Sequence, residues 1–187
     1  MEQAANFDRE APVRVAYTLE QCWHPTPGGT AIAALRIARE LGRIGGVELH
    51  QVAGRHPQAP IPEFRPAGSV AMLPLSRPLL YEAWNRLNWP RVESVTGDID
   101  VAHATGLVPC GTAASLVVTV HDLAFLHDPT QFSRQGVRTM QRSLDTIRSR
   151  ADRIICSSRA TIVDCERAGL DPALLRHVPL GVDIADV

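Results

Sequence analysis

Residues 115–122 read Ser-Leu-Val-Val-Thr-Val-His-Asp, and this stretch decides the fold. Leu116 to Val120 is an unbroken run of apolar and β-branched residues, the signature of a buried strand. It runs directly into His121 and Asp122, so two polar side chains emerge where a buried strand meets solvent.

The same grammar continues on both sides. Downstream, Ser133 caps a long helix whose apolar stripe is Val137, Met140, Leu144, Ile147 and Ala151, spaced by three and four. Arg153 to Cys156 is another buried strand, and Ser157-Ser158 opens a helix to Ala168 closed by Gly169. A last strand, Arg176 to Val178, precedes Pro179-Leu-Gly-Val-Asp183.

Upstream, Val13 to Leu19 predicts a first buried strand and Val47 to Ala53 a second. Between them, Thr30 to Ile44 carries Ala34, Ile37, Ala38, Leu41 and Ile44 on one face and Arg36, Arg39, Glu40 and Arg43 on the other. Gly45-Gly46 ends this helix. The proline-rich segment Gly54 to Arg77 holds one short strand candidate, Val70 to Leu73. Leu79 to Leu87 reads as a short helix, and Asp98 to His103 as a short strand ending in histidine. Strands alternate with helices throughout. The fold class is therefore α/β, a Rossmann-like, doubly wound, mostly parallel sheet flanked by helices.

Composition narrows the function. A chain of 187 residues with 45% apolar and 21% charged residues can bury one sizeable core. Its formal net charge of -1 gives no general affinity for nucleic acid or anionic membranes. No apolar run reaches the roughly 20 residues that span a bilayer. The opening is polar, unlike a signal peptide, and residues 1–11 read as a disordered tail. Cys22, Cys110, Cys156 and Cys165 show no metal spacing and fit buried free thiols in a reducing cytoplasm. All 19 basic residues are arginine, which excludes chemistry that needs a P-loop or Schiff-base lysine.

In doubly wound sheets, ligands bind beyond the carboxyl ends of the strands. The loop Glu20 to Thr30, His103, His121-Asp122 and Ser157-Ser158 all fall there. Gly28 and Gly29 support two readings. In one, the backbone closely approaches a ligand because no Cβ intervenes, and helix-start amides face an anion. In the other, they form a plain turn before a helix capped by Thr30. The spacing is not G-x-G-x-x-G, which argues against a standard dinucleotide site.

His121 can donate to a phosphate or sugar hydroxyl, act in proton transfer, or simply be hydrogen-bonded at a strand end. Asp122 orients it, caps the next turn or contacts a hydroxyl, and His103 either packs or lines the site. Ser157 and Ser158 cap the following helix, which can also present amides to an anion. Trp23 and His24 sit in the loop that shapes ligand choice. Arg134, Arg138 and Arg142 form a stripe that is either solvated or in contact with a phosphorylated acceptor or lipid headgroups. His56 and His127 carry no role in this reading, and no metal site is visible.

Five pieces in order resemble the N-terminal domain of the retaining GT-B glycosyltransferases of family 4, a group with many bacterial mannosyl- and glucosyltransferases. They are P-x-x-GG-T before the first helix, "DIDVAHATG", "VVTVHDLAFLHDP", "RADRIICSSRATIVDCERAG" and "VPLGVDI". The resemblance implies two Rossmann-like domains facing a cleft, with the N-terminal one holding the acceptor. Residues 12–180 would be that domain, and 181–187 the start of an interdomain linker, with the donor-binding C-terminal domain absent from these residues. By the same resemblance, Gly28, Gly29 and Thr30 lie against the donor's phosphates and sugar, and His121 is catalytic beside the transferred sugar. Trp23, His24, His103, Asp122, Ser157 and Ser158 belong to the acceptor side or the cleft edge.

The implied reaction moves a hexose from a nucleoside diphosphate sugar, as co-substrate, to the hydroxyl of a sugar, lipid-linked or small-molecule acceptor. No metal or other cofactor is expected, and neither is a nucleic-acid partner. The chain alone is expected to be inactive. A non-catalytic nucleotide- or sugar-binding module, and half of a GT-B sugar-nucleotide epimerase, are the alternatives.

Overall fold

Across residues 11–182, which the computed structural model describes, seven strands form one sheet. They are β1 (Val13–Thr18), β2 (Val47–Ala53), β3 (Val70–Met72), β4 (Val101–Ala104), β5 (Ser115–Val120), β6 (Arg153–Cys156) and β7 (Leu175–His177). Their order is β3-β2-β1-β4-β5-β6-β7, and every neighbouring pair is parallel. The helices are α1 (Gly29–Ile44), α2 (Arg77–Leu87), α3 (Glu93–Thr96), α4 (Ala124–His127), α5 (Arg134–Arg150) and α6 (Arg159–Arg167). The tail expected over 1–11 and the linker expected from 181 lie outside the described residues except for Ala11, Gly181 and Val182.

Strand alternation divides the core between the two faces of the sheet. Ala16 belongs to one core cluster with Val52, Val118 and Ile154, and with Leu80 and Trp84 of α2 and Leu144 and Ile147 of α5. Its neighbour Tyr17 turns the other way, into a second cluster with Leu19, Cys22, Ala31 and Ala34 of α1. All four cysteines are free and buried.

Local chemistry sets the helix starts. Ser133 Oγ accepts from the Gly136 amide at 3.0 Å, and Ser158 Oγ accepts from the Thr161 amide at 3.0 Å, as their positions predict. α1 differs from expectation: its cap is Gly28, with no side-chain cap, and Thr30 lies inside the first turn. The strand predicted over Asp98–His103 also moves, to Val101–Ala104. Asp100 is held at its threshold, accepting from the Arg14 amide through Oδ2 at 2.9 Å and donating its own amide to the Arg14 carbonyl at 2.9 Å. His103 thus falls within the strand rather than at its end. The final strand likewise starts one residue earlier, at Leu175.

β1 has β2 on one side and β4 on the other, so successive crossovers leave it in opposite directions. Such a switch point opens a crevice above the carboxyl ends of the two diverging strands.

Candidate functional site

The crevice is occupied by a cavity of about 620 Å³. Its floor comes from the strand ends: Thr18, Glu20 and Gln21 after β1, Thr105 to Val108 after β4, and His121, Asp122 and Phe125 after β5. One wall is the first turns of α2, the other Phe132, Ser133 and the first turns of α5, and Thr30 of α1 reaches the rim.

A closed polar network pins β1 to β4. The Thr105 amide donates to Thr18 Oγ1 at 3.1 Å, and Thr105 Oγ1 donates to the Thr18 carbonyl. Gln21 Nε2 donates to Thr105 Oγ1 at 2.7 Å. These groups satisfy one another, which fixes the floor without ligand.

His121 is half-buried, and its Nε2 lies 3.2 Å from the Thr105 carbonyl oxygen. A carbonyl only accepts, so Nε2 carries the proton and Nδ1 of the neutral ring is left as an acceptor. Burial lowers its pKa, opposed by the Thr105 bond and the Asp122 charge. A neutral ring in this tautomer accepts a hydrogen bond from a hydroxyl. Donation from Nδ1 to a phosphate would need the imidazolium, which burial disfavours. The His121 carbonyl is also held, accepting from Ser157 Oγ at 2.9 Å and Thr161 Oγ1 at 2.8 Å.

Asp122 lines the cavity and caps the next turn, its Oδ1 accepting from the Ala124 amide at 3.0 Å. His24 lines it too, with Nε2 3.4 Å from the Tyr81 hydroxyl. Burial, then the charges of Arg77 and His56, lower the His24 pKa to about 4. Gly28 and Gly29 are exposed beside the rim, and a Cβ built on either meets no heavy atom within 4 Å. Gly28 has φ -130°, which any residue can adopt, so the fold of this domain does not require glycine there.

Other expected residues lie elsewhere. His103 is buried inside β4, bonded through Nε2 to Thr119 Oγ1 at 2.8 Å and perpendicular to the Tyr17 ring with centroids 5.1 Å apart. It packs and does not reach the cavity; burial lowers its pKa to about 4. Trp23 turns away to a second hollow, where it stacks on His56 at 4.9 Å. Ser157 and Ser158 stay outside the cavity, the first holding His121 and the second capping α6.

The structure adds residues that the sequence did not single out. Buried Glu20 accepts from the Gly54 amide through Oε2 at 2.7 Å, and its Oε1 faces His56 Nε2 at 2.9 Å. His56 is thus a structural partner rather than incidental. Arg77 borders the cavity and donates to the Trp23 carbonyl at 3.2 Å. Of the arginine stripe, Arg142 is engaged, meeting both oxygens of Glu82 at 2.9 and 2.8 Å. Among the described residues no group of three or more His, Cys, Asp or Glu is placed to hold a metal ion, and no helix is long and apolar enough to cross a membrane.

Solved structures share this architecture. The Anabaena protein HepE in complex with UDP and glucose is similar at 15% identity and a TM-score of 0.53, covering 91% of this chain and 45% of that one. The same protein in complex with UDP-glucose is similar at 17% identity and a TM-score of 0.52, over 91% and 44%. A UDP-N-acetylglucosamine 2-epimerase is similar at 10% identity and a TM-score of 0.50, over 89% and 47%. The chain thus spans less than half the length of these neighbours, and the likeness is one of fold. No curated protein matches the sequence. The family model of Glycosyltransferase Family 4 matches residues 27–186.

Proposed function

The chain belongs to Glycosyltransferase Family 4, and from that premise we propose that it is the acceptor-binding half of a retaining enzyme. The reaction transfers a hexose from a nucleoside diphosphate sugar to an acceptor hydroxyl. Residues 12–180 form the acceptor domain in this reading. The complexes of HepE with UDP, glucose and UDP-glucose support a nucleotide sugar as donor. Family membership supports transfer over epimerisation, which occurs on the same architecture. The buried free thiols fit a reducing, cytoplasmic setting.

The observation that carries the reading is the cavity at the switch point, with His121 in its floor and an unobstructed glycine pair at its edge. His121 Nδ1, as an acceptor, orients a hydroxyl toward the reacting carbon. The exposed amides of Gly28, Gly29 and Thr30, at the positive end of α1, face the donor diphosphate and stabilise the charge that builds on it as it leaves. Because no side chain projects from the pair, a diphosphate held by the opposite domain can approach the backbone closely. Positioning two substrates across a cleft needs both walls, so the 187 residues alone catalyse no transfer.

A UDP-release assay tests this. The chain with UDP-glucose and an acceptor panel releases no UDP, and the addition of a donor-binding domain starts release. Release by the chain alone overturns the proposal.

A further inference from the structure

The cavity has two unlike halves. Toward β1 lie Thr18, Gln21, Thr105 and His121. The walls from α2 and the start of α5 bring Pro78, Phe132 and Met140, and the segments after β4 and β5 add Leu107, Val108 and Phe125.

Nearby polar groups on the second side are mostly bound within the protein. The Trp84 indole donates to the Pro90 carbonyl at 2.9 Å, the Tyr81 hydroxyl pairs with His24, and Ser133 Oγ caps α5. Gln135, Thr139 and Arg77, whose guanidinium donates to the Trp23 carbonyl, remain as its polar side chains. Three polar contacts between α2 and α5 close the far end. They are Arg142 to Glu82, Asn85 Nδ2 to Ser143 Oγ at 3.0 Å, and Thr146 Oγ1 to the Asn85 carbonyl at 3.3 Å. The wedge between the helices is therefore preformed and predominantly apolar, and it shares one cavity with His121.

A hexose placed there would bury hydroxyls against phenyl and aliphatic groups that cannot pair with them, which is unfavourable. An alkyl or aryl group would gain contact and lose nothing. Resting on the glycosyltransferase reading above, we infer that the acceptor is an alcohol carrying an alkyl or aryl group. That group fills the α2–α5 wedge while the hydroxyl meets His121. Sugar acceptors lack the group that the wedge is shaped to take.

The three methionines give a direct test, because Met140 borders the wedge and Met72 the separate hollow beside Trp23. The chain, labelled with ¹³C at its methionine methyls, is titrated with n-hexanol, 4-nitrophenol and methyl α-D-glucopyranoside. The Met140 resonance moves with the first two at concentrations roughly tenfold lower than with the glucoside, and Met72 stays still. Phe132→Asn, at a half-exposed rim position, weakens the apolar probes roughly tenfold, whereas Leu87→Asn, exposed outside the cavity, leaves them unchanged.

Tighter binding of the glucoside at Met140, or no response of Met140 to either apolar probe, overturns the inference. Transfer to a sugar acceptor in the UDP-release assay also overturns it and leaves the family reaction standing. Failure of all transfer, with hexanol still saturating Met140, overturns the transfer reading and the acceptor assignment with it, leaving only an apolar binding wedge.

Discussion

Ser157 donates its hydroxyl to the His121 carbonyl oxygen at 2.9 Å, so the residue after β6 holds the residue after β5. Thr161 Oγ1 donates to the same oxygen at 2.8 Å, making His121 a shared anchor. Removing both donors, as in Ser157→Ala with Thr161→Val, leaves a half-buried carbonyl unpaired. Each loss costs about 1 kcal/mol. Urea unfolding should show a combined destabilisation of about 2 kcal/mol, and the His121 ring resonances should broaden or move. An unchanged midpoint and unchanged ring signals would remove this anchor from the account of the site.

The glycine pair separates fold from function. Gly28→Ala and Gly29→Ala should leave stability within about 1 kcal/mol of the parent, because neither added Cβ meets an atom within 4 Å. Transfer measured with a donor-binding domain present should fall roughly tenfold or more, since the methyl enters the space where the diphosphate approaches. Full transfer by both variants would show that the cleft makes no use of the pair.

Gly111 is the opposite case. A Cβ there would sit 2.7 Å from the Pro90 carbonyl oxygen and 2.9 Å from that of Asn88. These are backbone atoms of a segment pinned by Asn88, whose side chain pairs with both the Thr112 amide and the Thr112 carbonyl at 2.9 Å. Gly111→Ala should therefore destabilise by about 1–3 kcal/mol in denaturant unfolding. A neutral result would mean that this loop shifts freely.

Acid should weaken the fold through buried histidine. His103 has its pKa lowered to about 4 by burial, against an ordinary value of 6.5, so the unfolded chain binds the proton first. Its contribution is complete above pH 6.5 and is lost as the pH falls from there to about 4. The loss is on the order of 3 kcal/mol for this group. His24 shifts in the same direction from a more exposed position. The pH dependence of unfolding stability across that window should flatten in a His103→Phe variant, which keeps an aromatic ring against Tyr17; a slope equal to the parent's would contradict the assignment.

The layered fold was legible because its signals are local. The apolar run before His121, the serines at 133 and 158 and the heptad-like stripe of α5 each act within a few residues. Membership of the site is not local in this way. His103 and Thr105 share one strand phase and both are buried, yet His103 packs within β4 while Thr105, just beyond its end, lines the cavity. Glu20, Arg77 and Tyr81 line the cavity only because α2 lies across the end of β1, a relationship no spacing encodes. Trp23 is four residues from Pro27 in a loop whose course is set by stacking on His56, so its departure was equally unreadable.

The bonds between Thr18 and Thr105 join positions 87 residues apart in the chain. That separation makes the floor of the cavity one of the last places the domain can complete. A loop spanning three strands, three helices and a proline-rich segment must close before the two threonines meet, and the entropy of that closure is repaid only when β4 docks beside β1. Emerging fragments that already hold α1 and β2 therefore have no cavity at all. Ligand capture becomes a property of the finished sheet, so a ligand binding there also selects chains that have folded correctly.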